Sequence, residues 1–407
     1  MRILLINQFY PPDVAPTGKY LHDLAQVLVQ RGHQVKVICS RRSYDGGRTF
    51  PACEIMDGVE ILRLPATGFG RRGFIGKLAD YATFYFPLLA VLLHERPRPD
   101  LILCLTTPPY VGVLGKLAAK WHHCRHAHWI MDLYPDVMFA HGLSQGGWSL
   151  KFLQWLTRFQ LRGANPVFAL GPVMAENVAR YCAKSDARIA KEEPVHSVPL
   201  WSDSELSAAP ETGPSPLRIE RGWAAEETVF LYSGNMGLGH RFQEFLGAAK
   251  TLGLSGPRWV FSGGGKRRAE IEAFAKSNPE SRINFLEYVP RAQLRAHLAS
   301  GDVHLASLDA GWQGLMVPSK LQGSFAVGRP VLFVGGDRCE TARWIQESGG
   351  GWVVAENDAD GLLAAIRQGL DPEERSKRGR AALDFARQHF QATSNCIRLA
   401  ELLEIPE

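Results

Sequence analysis

The sequence is sparing with cysteine, with charge of one sign and with long apolar runs. Its 7 cysteines, at 39, 53, 104, 124, 182, 339 and 396, are odd in number and never stand as C-x-x-C. That spacing argues against a disulfide framework or a structural zinc site and suits a reducing cytosol. Lys+Arg 46 against Asp+Glu 41 gives a net charge of +5. This is too mild to imply a nucleic-acid partner, but it leaves room for local basic patches. Met1 to Asn7 holds too short an apolar run for a signal peptide. The stretch Tyr81 to Leu93 is broken by Pro87 and ends at His94-Glu-Arg96, short of the roughly 20 apolar residues a spanning helix needs. There is no G-K-[ST] motif and no H-E-x-x-H motif, so P-loop hydrolysis and a zincin site are not indicated.

What is present is ordinary for a globular protein: 45% apolar and 21% charged residues over 407 positions. Single cores stop growing near roughly 250–300 residues, so this length predicts two domains. Ile3 to Ile6 reads as a strand buried on both faces, followed by a proline-rich turn. Tyr20, Leu21, Leu24, Val27 and Leu28 then recur at helical spacing, Gly32 closes the helix, and Gln34 to Cys39 is the next strand. The same grammar restarts at Thr228 to Ser233, with a glycine turn at 234–239, a helix carrying Phe242, Phe245, Leu246 and Ala249, and a strand ending at Ser262. Two such starts predict two doubly wound α/β domains. The segment Ser207 to Pro216 reads as a linker or surface loop, and the chain from Pro372 reads as helical.

Several motifs carry chemistry. Gly234-Asn-Met-Gly-Leu-Gly239 leads to His240 and Arg241 at a helix start, where free N–H groups favour an anion; a tight turn without ligand explains it equally. Ser262-Gly-Gly-Gly265 before Lys266 is a second such turn. In Val317-Pro-Ser319-Lys320 a lysine opposes the dipole of the helix it opens, which makes sense if an anion sits there; an exposed lysine accepting a small helix-end penalty is the alternative. Asp132 follows the strand ending at Trp129, where a carboxylate orients or deprotonates a hydroxyl, or merely caps a turn. His122, His123, His126 and His128 cluster without a converging third ligand, so no metal is expected. Arg71, Arg72 and Lys77 alternate with Phe69, Phe74 and Ile75, either as a membrane-interface patch or as a core helix with a charged end.

In order and spacing these motifs resemble the retaining glycosyltransferases of family 4, which have the GT-B fold, over nearly the whole chain. The resemblance rests on Pro11-Pro12, Gly18, Arg31-Gly-His33, Asp132-Leu-Tyr-Pro-Asp136, Tyr232-Ser-Gly-Asn-Met-Gly237 and Pro318-Ser-Lys320 to Gly328-Arg-Pro-Val331. It is similar in particular to bacterial enzymes of O-antigen, colanic-acid and exopolysaccharide synthesis. The resemblance implies an acceptor-binding domain over 1–200, a nucleotide-sugar-binding domain over 201–385, the two facing a cleft, and a helix over 386–407 packing back on the first. It implies Lys320 at the donor diphosphate and Asp132 at the acceptor hydroxyl. Gly18, Asn235, Gly237, His240, Arg241, Tyr288 and Ser319 would complete the donor site. The family's glutamate pair is replaced by Leu315 and Gly323, with Glu340 as a candidate substitute.

The expected reaction is transfer from a nucleoside-diphosphate sugar, UDP favoured over GDP, to a lipid-linked saccharide. No metal or other cofactor and no nucleic acid is expected, and the location would be cytoplasmic, at the inner membrane face. A nonhydrolysing sugar-nucleotide epimerase and a catalytically silent GT-B binding or scaffold subunit are the alternatives.

Overall fold

The computed structural model describes residues 1–44, 47–68, 74–142, 147–183, 195–207 and 215–405. The chain divides into two compact units, Met1–Val198 with Thr393–Glu407, and Pro199–Ala392. Much of Ser207 to Pro216, together with Arg71 and Arg72, falls outside the described residues, and Lys77 is placed only as part of a helix backbone.

The first unit is built on an eight-stranded sheet: β1 (Arg2–Ile6), β2 (Gln34–Ser40), β3 (Cys53–Met56), β4 (Val59–Leu64), β5 (Leu101–Cys104), β6 (Arg125–Trp129), β7 (Val167–Ala169) and β8 (Val195–Ser197). Their order is β3-β4-β2-β1-β5-β6-β7-β8, and only β3 runs antiparallel to its neighbour. Its helices are α1 (Pro16–Gln30), α2 (Phe74–His94), α3 (Val111–His122), α4 (Asp136–Ala140), α5 (Trp148–Leu161) and α6 (Pro172–Cys182). Right-handed crossovers put α2, α3, α5 and α6 on one face of the sheet and α1 on the other. The strand order reverses between β1 and β5, where an α/β sheet opens a crevice at its carboxyl edge.

The second unit repeats the plan with six parallel strands: β9 (Val229–Ser233), β10 (Arg258–Ser262), β11 (Ile283–Leu286), β12 (Val303–Leu308), β13 (Val331–Gly335) and β14 (Gly351–Val354), in the order β11-β10-β9-β12-β13-β14. Its helices are α7 (Pro216–Glu220), α8 (Gln243–Leu252), α9 (Arg268–Ser277), α10 (Leu294–Ala299), α11 (Lys320–Ala326), α12 (Glu340–Ser348), α13 (Ala359–Leu370) and α14 (Pro372–His389). Phe230, Tyr232, Phe242, Phe245, Trp259 and Phe261 form one buried cluster under α8. Here the order reverses between β9 and β12.

The last helix, α15 (Ala392–Glu404), belongs to the first unit from Thr393 onward rather than from 386. Phe385 and Phe390 keep α14 with the second unit by packing on Phe325, at 6.2 and 6.4 Å between ring centres. In the first unit Glu404 takes a bidentate hydrogen bond from Arg31, at 2.7 and 2.5 Å, and lies 2.7 Å from His33 Nε2. The Arg31 hydrogen bonds hold the Glu404 carboxyl down at about 2. Among the described residues no helix is long and apolar enough to cross a membrane.

Candidate active site

In the second unit the residues of interest gather at the carboxyl edge of β9, β10 and β12. The two glycine turns interlock there. Met236 N–H donates to the Gly264 carbonyl at 2.7 Å, and Gly234 N–H to that of Ser262 at 3.0 Å. Glycine is required at 263: its φ is +112°, and a Cβ would stand 2.4 Å from the Gly234 oxygen. Tyr288, 60% exposed, lays its ring against Gly263 and Gly264.

His240 follows this turn and is buried. Its Nδ1 lies 2.6 Å from the Ser307 carbonyl, which only accepts, so Nδ1 carries the proton and Nε2 offers a lone pair. Lys320 Nζ, 3.1 Å from Nε2, donates to it. Burial and the Lys320 charge hold the His240 imidazolium down at about 3, so the ring is neutral. The Lys320 stem passes over Gly234, whose absent side chain leaves room, and Nζ sits 4.9 Å from the Tyr232 ring centre. Burial pulls the Lys320 ammonium down to about 7, because little water is left to solvate the charge. An ammonium on a neutral acceptor keeps its other N–H donors for an anion and, below about pH 7, a charge that no carboxylate among the described residues offsets.

The other residues read from the sequence fall on the same edge or near it. Asn235 and Ser319 are exposed, and the Asn235 carbonyl accepts the Tyr232 hydroxyl at 2.8 Å. Gly237 lies between Asn235 and His240. Arg241 faces a different group. It donates to Glu244 at 2.9 and 2.5 Å and pairs with Glu356 at 3.3 Å and Asp309 at 3.4 Å, so its charge is already matched by carboxylates. Glu340 opens α12 and is fully buried, where a carboxylate favours the helix start. At Gly323 a Cβ would point at Leu298, 3.3 Å away, and Leu206, 3.8 Å away, into an apolar cluster.

Ser307 was not legible as a site residue. It receives His240 on its carbonyl, accepts Arg241 N–H on its hydroxyl at 3.0 Å, and lies on β12, far along the chain. His297, with Nε2 3.2 Å from Ser233 Oγ, is a second such residue. Nothing local marks either: the pairing of β12 beside β9 brings in Ser307, and the packing of α10 brings in His297.

In the first unit, Asp132 stands just beyond β6 at the carboxyl edge. Thr106, beyond β5, accepts the Met131 and Asp132 N–H groups at 3.3 and 3.2 Å. Burial lifts the Asp132 carboxyl to about 6, and it has no hydrogen-bonded side-chain partner among the described residues. Asp136 differs, since it accepts the Tyr181 hydroxyl at 2.7 Å. Gly18 packs on the loop after β1: a Cβ there would stand 2.9 Å from the Phe9 oxygen. The histidines do not converge, for His122 Nε2 lies 2.6 Å from the Leu92 carbonyl while His126 and His128 point inward from β6.

The comparisons agree with this architecture. Residues 17–190 match the model of the glycosyl transferase 4-like domain and residues 227–371 that of the glycosyl transferases group 1. The chain is 25% identical over 387 residues to a putative colanic acid biosynthesis glycosyl transferase of Escherichia coli K12, covering 91% of this chain and 92% of that protein. Among solved structures, sucrose-phosphate synthase of Thermosynechococcus elongatus superposes with a TM-score of 0.76 at 16% identity, covering 99% of this chain and 98% of that one. Anabaena HepE in complex with UDP gives 0.70 at 16% identity, covering 99% of each chain. This chain therefore belongs to the glycosyltransferases of the family 4 type, with the GT-B fold.

Proposed function

We propose that this glycosyltransferase moves a sugar, with retention, from a nucleoside-diphosphate sugar to a lipid-linked saccharide in surface polysaccharide synthesis. The observation that carries the reading is Lys320, set on neutral His240 above the glycine turn at the switch point of the second sheet. Cleaving the bond from the anomeric carbon to the diphosphate leaves negative charge on the departing phosphate. A fixed ammonium and turn N–H groups stabilise that charge as it develops. Such a cation fills the role a divalent ion would otherwise fill, so transfer would proceed without a metal. Asn235, Gly237 and Ser319 would line the diphosphate, and the exposed Tyr288 ring offers the base a stacking face. Arg241 would support the turn through Ser307 rather than touch phosphate. Asp132 would orient the acceptor hydroxyl, whose proton passes to the leaving phosphate.

A UDP-sugar is favoured, supported by the UDP held by the Anabaena structure of like fold. The polysaccharide setting is supported by the colanic-acid relative. A thermal-shift screen of UDP-, GDP- and ADP-sugars tests the donor, since stabilisation grows as RT ln(1 + [L]/Kd). Transfer to a bacterial lipid extract tests the reaction. Stabilisation by none of these donors would discard the reading, and an epimerised donor formed without acceptor would replace it with an epimerase.

A further inference from the structure

In the first unit α3 and α5 lie side by side, and α5 turns its apolar face outward, the reverse of an ordinary surface helix. On α5, Trp148 (82% exposed), Phe152 (49%) and Trp155 (54%) recur at i, i+4 and i+7, with Phe159 next on the same face. Thr157, Gln160 and Leu161 occupy the opposite, buried face. The rings form a ladder, Phe152 stacked on Trp155 at 5.8 Å and Trp155 on Phe159 at 5.7 Å. On α3, Leu117 (42% exposed) and Trp121 (60%) extend the surface. Monomers seldom expose so contiguous an aromatic patch without using it.

The charge around the ladder has one sign. Lys116 and Lys120 lie 4.7 and 5.8 Å from the Phe159 ring centre, Lys151 is exposed on α5, and neither helix contains an aspartate or glutamate. Where the ladder ends, at the amino edge of the sheet, a cavity of about 810 Å³ opens, lined by Lys116, Lys120, His123, Arg125, His126 and Arg162. Its carboxylate, Asp100, is taken up by Arg2 N–H at 2.6 Å. His126 is 5% exposed, and neither ring nitrogen has a hydrogen-bond partner. The cavity is at the sheet edge opposite Asp132, so it is separate from the acceptor position.

We propose that this face docks on an anionic phospholipid bilayer, the aromatic ladder lying in the interface and the cationic cavity receiving headgroup phosphate. Aromatic rings flanked by lysines suit the headgroup zone, where the rings bury apolar area and the cations meet lipid charge. A protein partner would be expected to find some carboxylates to pair with, and these helices offer none. The proposal deepens the lipid-linked acceptor reading and rests on it for its purpose. It also sets the membrane contact on α3 and α5 rather than around Arg71, Arg72 and Lys77.

The test is flotation of the full-length protein with vesicles of phosphatidylcholine, alone or mixed with phosphatidylglycerol. The wild type is expected to float with the anionic vesicles only and to be released by salt. Trp148→Ser with Trp155→Ser, and separately Lys120→Glu with Lys151→Glu, should each abolish most of that binding. Each lysine near the surface is worth about fivefold in partition, so the lysine pair should cost at least roughly 25-fold. An unchanged melting temperature and nucleotide-induced shift show that the variants fold. Equal flotation by the variants, or none by the wild type, overturns the proposal. So does a dimer lost in the tryptophan variant without vesicle binding, which would assign the face to a protein. Transfer to a detergent-solubilised acceptor by a wild type that ignores vesicles would overturn docking alone. Absence of transfer to any acceptor would remove the proposed function and leave docking to the flotation result.

Discussion

Replacing Lys320 by methionine keeps the length of the stem over Gly234 and deletes the charge. Two effects on stability oppose each other. His240 Nε2 loses its donor at 3.1 Å, which costs about 1–3 kcal/mol for a buried polar atom left unpaired. The variant no longer holds an ammonium that burial has pulled down to about 7, so a cost of folding disappears with it. The melting temperature should therefore move little. Catalysis should suffer far more: deleting one preorganised donor at a developing oxyanion costs about 2.7–4 kcal/mol, or 10²–10³ in kcat. The pH profile gives a finer test. Lys320 must be protonated to hold the diphosphate, and its folded value is depressed, so donor affinity should fall as pH rises through about 7. Asp132 must be ionised to accept the acceptor hydroxyl, so activity should fall as pH drops through about 6. The profile of kcat/KM should be a narrow bell between these limbs. Lys320→Arg should retain activity while losing the alkaline limb. Calorimetric titration with nucleoside diphosphate and initial rates across pH provide both readouts. A Lys320→Met enzyme with unchanged turnover, or with the same alkaline limb, refutes the role.

Asp132→Asn should lower turnover about 10²–10⁴-fold while leaving nucleotide binding by calorimetry unaltered, since Asp132 lies in the first unit. Arg241→Ala should destabilise the second unit by about 3 kcal/mol in urea melts, because Glu244 is left with a buried, unmatched charge, and donor affinity should fall less than in Lys320→Met. Burial holds His126 well below its usual range, His128 and His297 at about 4, and His240 and His304 at about 3. These folded values are depressed, so their contribution to stability is complete above about 6.5 and is lost as pH falls, at roughly 1.4 kcal/mol per group per pH unit. Urea midpoints measured downward from neutral pH should show that slope. Gly263→Ala, with a Cβ 2.4 Å from the Gly234 oxygen, should collapse the interlocked turns and abolish nucleotide-induced thermal shifts.

Much of the fold was legible because its signals are local. The buried run Ile3 to Ile6, the helical spacing from Tyr20 to Leu28 and the restart at β9 each depend on neighbours within a dozen residues. Lys320 was legible because a lysine opening a helix works against the dipole unless something compensates. Arg241 shows the limit. Its position after the glycine turn suggests a phosphate contact, yet its charge is taken by Glu244, Asp309 and Glu356, two of which lie far along the chain. The exposed ladder on α5 was equally hidden, since its spacing is that of any amphipathic helix and the outward side is set by what α5 packs against.

The sequence by itself determined the number of units, the alternation of strand and helix, and the two glycine-rich turns of the second unit, since each follows from chain length, periodicity or local turn chemistry. Tertiary structure decided which charges are free. Placing β12 beside β9 brings Ser307 to His240, makes that imidazole a neutral acceptor and leaves Lys320 its charge. A side chain's protonation and availability depend on what surrounds it in space, and the chain order of residues alone does not supply that.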